Sequence, residues 1–223
     1  MQIFFVASML LLAIRIFELK MWKTFPAFAV YLMATIFVTI IPNPKNEGYW
    51  QIMWEATASA IMILRIIAIA ELFWISTLEC LRAERLMLFA ALACASATAL
   101  LVAFINLPET ALGAFVLSRQ CMQLAMFFWL VIGGAYLLKR DIVLERNTAW
   151  HFILFIWLLT VKVLCAGLDL ETGLFTKTWH FADQQEALNY AMIGQSVCYL
   201  VWAWAFQEPK RHWWFAVSQN STT

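Results

Sequence analysis

The chain has 223 residues, 64% of them hydrophobic and 13% charged, with 12 tryptophans and a formal net charge of +1. A soluble domain usually carries about a quarter charged residues, so this composition reads as an all-α polytopic membrane protein with no room for a soluble domain. The near-neutral charge excludes a nucleic-acid partner, because no basic patch is large enough to displace many phosphate counterions.

Seven apolar segments near or above the roughly 18 residues needed to cross a hydrocarbon core are read at 1–18, 25–41, 50–78, 86–105, 111–138, 148–168 and 184–206. The first, within "MQIFFVASMLLLAIRIFELK", lacks a basic leader and a small-x-small cleavage site, so it is expected to stay as a helix. "PNPKNEG" at 42–48 and "NLPET" at 106–110 end helices with proline and turn residues. The fourth segment, with "AALACASATAL" at 90–100, is small on nearly every face, which predicts a central or tightly packed helix. The loop from Asp169 to Asp183 is the longest. Residues 1–206 thus read as one seven-helix transmembrane domain, and 207–223 as a short tail whose "PKRHWWF" lies along the membrane surface.

Lys and Arg set the orientation, because short cytoplasmic loops accumulate them. The loops after helices one, three and five and the tail carry Lys20, Lys23, Arg82, Arg85, Lys139, Arg140, Arg146, Lys210 and Arg211, against Lys45 and Lys177 in the others. The N-terminus is expected outside and the C-terminus in the cytoplasm, in a plasma or inner membrane. Trp22, Trp150, Trp213 and Trp214 suit the inner interface, and Trp50, Trp54 and Trp179 the outer one.

Three bases fall inside these segments: Arg65 in "IMILRIIAIAELFW", Arg119 in "LSRQCMQLAMFF" and Lys162 in "FIWLLTVKVLCAGLDLE". Each costs about 2.5–3.5 kcal/mol at a helix centre unless water, a partner or the interface is in reach. Side chains lean toward their helix N-terminus. Arg119 therefore leans toward its nearer interface, Lys162 leans away from its own, and Arg65 must cross much of the core to escape, which makes it the strongest anomaly. Lys162 and Asp169 share a face two turns apart, where a water or ligand can bridge them. Arg65 and Glu71 are about 120° apart around their helix, so Arg65 should find its partner on another helix.

Further polar groups are Gln123 on helix five, Asn189, Gln195, Ser196 and Glu186 on helix seven, and Glu55 on helix three. Together with Arg65, Arg119, Lys162 and Asp169 they predict a polar cavity among helices three, five, six and seven, reached from outside. The bases outnumber intramembrane acids, which points to a small anionic ligand or an anionic head group. The alternative is a network that only locks helices together.

No H-E-x-x-H, P-loop or G-x-G-x-x-G motif occurs, so no catalytic residue, metal ligand or cofactor is expected. The five cysteines read as packing residues. His151 and His180 fall at opposite membrane faces, which argues against a bis-histidine haem. Microbial rhodopsins carry their retinal lysine on helix seven, and helix seven here has none. "WEATASAIMI" and "QEALNYAMI", opening helices three and seven, match at Glu55 and Glu186, Ala56 and Ala187, and Ala60 and Ala191. That likeness suits a three-plus-one-plus-three duplication, although the five prolines lie outside or at the ends of helices, unlike the broken helices of transporters. The leading expectation is a ligand-binding or sensing membrane module, followed by a small-solute transporter and an accessory subunit of a membrane complex. The expected partners are membrane lipids, a small anion, and a membrane protein or second copy.

Overall fold

A computed structural model describes residues 1–40, 49–78, 82–105, 111–139, 144–166 and 184–207; the side chains at 49–55, 83, 92, 99–100, 102–105, 111–120, 163–166 and 184–188 are outside that description. The chain is all-α. The helices are α1 (Gln2–Glu18), α2 (Pro26–Ile40), α3 (Tyr49–Ser76), α4 (Arg82–Ile105), α5 (Ala111–Lys139), α6 (Arg146–Ala166) and α7 (Gln184–Ala205), with a 3-10 turn at Met21–Lys23, and no strand occurs among the described residues.

The helices match the apolar segments except where polar turns extend them. α4 starts at Arg82 and α6 at Arg146, each ahead of its apolar run. Arg, Ala and Glu are good helix formers, and the Ala149 N–H donates to the Glu145 carbonyl at the start of α6. Hydropathy finds the apolar part of a helix, and hydrogen bonding sets its ends.

Side chains fasten the helix ends. Pro26 opens α2, a position where its missing N–H costs nothing. The next donors, Ala27 and Phe28 N–H, reach the two carboxylate oxygens of Glu71 on α3 at 2.9 and 3.1 Å. Glu71 thus caps another helix, which sets the start of α2 beside the end of α3 and makes the pair antiparallel. At α6, the Asn147 amide donates to the Gln207 carbonyl at 2.9 Å and accepts from the Gln207 N–H at 3.1 Å, holding the end of α7. Arg15, near the end of α1, reaches the Phe206 carbonyl at 3.5 Å. The Trp129 indole on α5 donates to the Leu88 carbonyl on α4 at 3.2 Å. These bonds bring the ends of α1, α3 and α7 and the starts of α2, α4 and α6 to one side. Lys20, Lys23, Arg82, Arg85 and Arg146 gather there, so it is called the basic end below.

Six helices close a ring in the order α1, α2, α3, α5, α6, α7, with α3 also touching α6, and α4 packs mainly along α5. The expectation of a central α4 is therefore corrected. It is tightly packed against α5, but Ala90, Ala91, Ala93, Cys94, Ala97 and Thr98 are exposed. Small side chains permit close approach without demanding it on every face.

The interior is mainly apolar, around Phe28, Phe73, Phe155 and Trp202, but it also holds polar groups, and many apolar side chains are exposed. Arg65, His151, Asn147, Gln195, Ser196 and Thr35 are buried, while Ile3 is 87%, Phe37 67% and Ile132 63% exposed. Buried hydroxyls turn back onto their own helices, as in Thr35 to Tyr31, Ser76 to Leu72 and Ser196 to Met192, at 2.7–2.8 Å. Two helical stretches, Ala56–Ser76 and Cys121–Lys139, are long and apolar enough to cross a membrane.

Candidate functional site

Arg65 lies in the fifth turn of α3, about 24 Å from its start, and is only 4% exposed. Its Nε donates to the Tyr31 hydroxyl on α2 at 3.2 Å, and its guanidinium carbon is 5.4 Å from the centre of the Tyr31 ring. Its Nη1 is buried with no hydrogen-bond partner. Lys162 on α6 comes close enough for the two positive charges to repel. The fourth member is Tyr199 on α7, fully buried, which feels the Arg65 charge and the Tyr31 hydroxyl beside it. The two phenols are near one another, yet the Tyr199 hydroxyl has no partner in good hydrogen-bond geometry.

Tyr31, Arg65, Lys162 and Tyr199 therefore converge from four helices and offer mainly donors. Neither cation forms an ion pair with a described residue; the one described pair is Arg15 with Glu18 at 3.6 Å, and the Glu71 carboxylate is spent on the start of α2. Helix direction explains the placing of Lys162. Its Cα is about 10 Å beyond Phe155 along α6, and its chain leans back toward the α6 N-terminus, where Arg65 waits.

An aromatic layer lies between this cluster and the basic end. Phe28 packs on Trp202 at 4.7 Å and on Phe155 at 5.4 Å, and Tyr31 meets Phe155 at 6.4 Å. Beneath it His151 sits within 4.5 Å of Phe25 and 4.3 Å of Phe28. All of these side chains are buried, so the layer closes the cluster toward the basic end.

The residues singled out in the sequence are placed unequally. Arg65 and Lys162 are together. Gln195 is buried on α7, and Asn189 is partly buried there. On α5 the Gln123 side-chain carbonyl is buried, with no hydrogen-bond partner among the described residues. Arg119 lies in α5, Glu55 in α3 and Glu186 in α7, but their side chains are outside the described set, and Asp169 and the 207–223 tail beyond Gln207 lie outside the described residues altogether. Ser196 serves its own helix and supplies no donor to a site. Sequence reasoning missed Tyr31, the hydrogen-bond partner of Arg65. The available signal for Tyr31 was a lone phenol in the otherwise apolar "PAFAVYLMATIF".

No protein-family model, curated protein or solved structure matches this chain.

Proposed function

We propose that this chain is a multi-pass integral membrane protein, N-terminus outside, that binds a small anion at the Tyr31–Arg65–Lys162–Tyr199 cluster and senses it. The membrane setting is supported by the apolar surface: side chains such as Ile3, Phe37 and Ile132 face outward, while Arg65, Asn147 and Gln195 are buried. Exposed apolar area this extensive marks a lipid or protein contact rather than a water-facing surface. The gathering of basic residues at one end supports the orientation, with that end in the cytoplasm.

The observation that carries the anion reading is the buried Arg65, 4% exposed, with its Nη1 and the Tyr199 hydroxyl left without hydrogen-bond partners and the Lys162 amine near enough to feel its charge. A carboxylate, phosphate or sulfate accepts from all of these donors and cancels the charge excess. The aromatic layer closes the cluster toward the basic end, which favours reception over passage.

The test is thermal unfolding of the purified protein with a panel of carboxylates, phosphate and sulfate. At least one anion should stabilise the wild type, and Arg65→Ala and Lys162→Ala should lose that gain. An equal gain in both variants overturns the reading.

Transport is the second reading, and the helix order favours it. Rotating the ring by three places maps α1–α3 onto α5–α7, with α4 outside as the link, and each half gives two members of the cluster. The opening sequence match does not add to this, since Ala60 is exposed and Ala191 buried. Counterflow of the stabilising anion in vesicles would select transport, and binding without flux would select sensing.

A further inference from the structure

The basic end carries a cavity that has nothing to do with Arg65. It lies where the end of α3 meets the first turns of α4, has a volume of about 530 Å³, and is lined by Trp74, Arg82, Arg85, Leu86 and Phe89. That volume is in the range of ligand pockets, about 300–1,000 Å³. Its wall is apolar: the Trp74 and Phe89 rings are 6.1 Å apart, and Trp74 and Leu86 are exposed toward the surroundings. The charge is supplied by two arginines. Arg85 is held in place, its Nε and Nη2 donating to the Thr77 and Leu78 carbonyls at 3.1 and 2.9 Å and its guanidinium 4.9 Å from the Trp74 ring centre. Arg82, almost one turn earlier on α4, is exposed.

Arginines beside a tryptophan and an apolar wall call for an amphiphile with an acidic group at one end. A free phosphate would leave Trp74, Leu86 and Phe89 without use. We propose that this cavity binds one anionic phospholipid, with its phosphate at Arg82 and Arg85 and an acyl chain along Trp74, Leu86 and Phe89. The inference rests on the membrane setting and orientation proposed above, not on the anion cluster. In that orientation the cavity opens at the cytoplasmic leaflet, where anionic lipids are found and where basic pockets between helices take acidic head groups.

The full chain is reconstituted in nanodiscs of mixed phosphatidylglycerol and phosphatidylcholine, and retained lipid is counted by native mass spectrometry after release. One phosphatidylglycerol should be retained in preference to phosphatidylcholine. Arg82→Gln, which removes an exposed side chain and should fold normally, is expected to lower that retention roughly fivefold, the effect of one basic group near a charged surface. Arg82→Lys should keep most of it, Trp74→Ala should weaken it, and Arg65→Ala should leave it unchanged. Equal retention of the two lipids, no effect of Arg82→Gln, or displacement by glycerol phosphate as readily as by lipid overturns the proposal, the last by assigning a soluble phosphate instead. Failure of the wild type to enter nanodiscs would sink the membrane reading itself, a separate outcome.

Discussion

The indole N–H of Trp202 donates to Nδ1 of His151 across 3.1 Å. Since an indole N–H only donates, Nδ1 is the acceptor, and the neutral ring carries its proton on Nε2. That Nε2 is buried and has no polar partner. It is enclosed by rings, with Phe25 stacked at 4.5 Å, Phe28 edge-on at 4.3 Å and Phe155 edge-on at 4.9 Å. His151 thus joins α6 to α7 through the hydrogen bond from Trp202, and to α2 and the residue before it through its contacts with the Phe28 and Phe25 rings. His151→Phe keeps the rings and strands the indole N–H, so it should lower stability by about 1–2 kcal/mol. His151→Ala also loses the ring packing and should cost about 3–5 kcal/mol. Chemical or thermal unfolding followed by tryptophan fluorescence gives the order, and an Ala variant as stable as the Phe variant would refute this role.

Glu71 makes a second such joint, between α3 and the first turn of α2. Glu71→Ala should leave both N–H groups of Ala27 and Phe28 without their acceptor, a loss of about 1–2 kcal/mol as for other helix caps. Glu71→Gln retains one acceptor oxygen and should fall between Ala and wild type. Hydrogen exchange reports this directly: amides at the start of α2 should exchange faster in the Ala variant, while those of α5 stay unchanged.

The two joints show what could and could not be read in advance. Segment number and type were legible because an apolar run long enough for a helix is a local property. Arg65 and Lys162 stood out for a similar reason: a cation in an apolar run is conspicuous wherever it ends up. The pairing was not legible. Glu71 looked like a spare charge near a helix end, and nothing in "IAELFW" says that its acceptors meet the N–H groups of Ala27 and Phe28, more than 40 residues away. Likewise Tyr31 reaches Arg65 across 34 residues of sequence. At α4 small residues signalled the close packing it makes against α5 but not its place at the edge, because composition limits how close a neighbour can come without saying on how many sides one is there.

Glycine tests the ring at its α3–α5 seam. A Cβ on Gly133 would overlap the Phe73 ring, which is buried and wedged between Trp129 at 3.9 Å and Phe152 at 5.1 Å. With no room to turn, Phe73 should force the helices apart, so Gly133→Ala is expected to cost about 1–3 kcal/mol. A Cβ on Gly134 would lie 2.9 Å from Phe152, and one on Gly194 3.2 Å from the Val161 methyls. The losses should therefore run Gly133→Ala, then Gly134→Ala, then Gly194→Ala. Phe73→Leu introduced with Gly133→Ala should restore part of the loss; a double variant no better than the sum of the singles would mean that the overlap is not the cause.

Arg65 and Lys162 can be weighed with and without the anion proposed for them. In the ligand-free protein Arg65 and Lys162 repel, and neither has an acidic partner among the described residues. Lys162→Met removes a charge and keeps an unbranched chain of similar length, so the unliganded protein should gain stability, by about 1–4 kcal/mol on the precedent of buried charges replaced by apolar groups. Arg65→Met is a different case, because it also gives up the bond to the Tyr31 hydroxyl and should gain less. A double-mutant cycle isolates the repulsion. Without anion, the second substitution should gain less than it does alone, since the first has already removed the opposing charge. With a saturating anion, the sign should reverse, because the two cations then share one ligand. Unfolding midpoints of the four proteins with and without the anion measure both couplings. A coupling that keeps one sign under both conditions would show that Arg65 and Lys162 do not share a ligand.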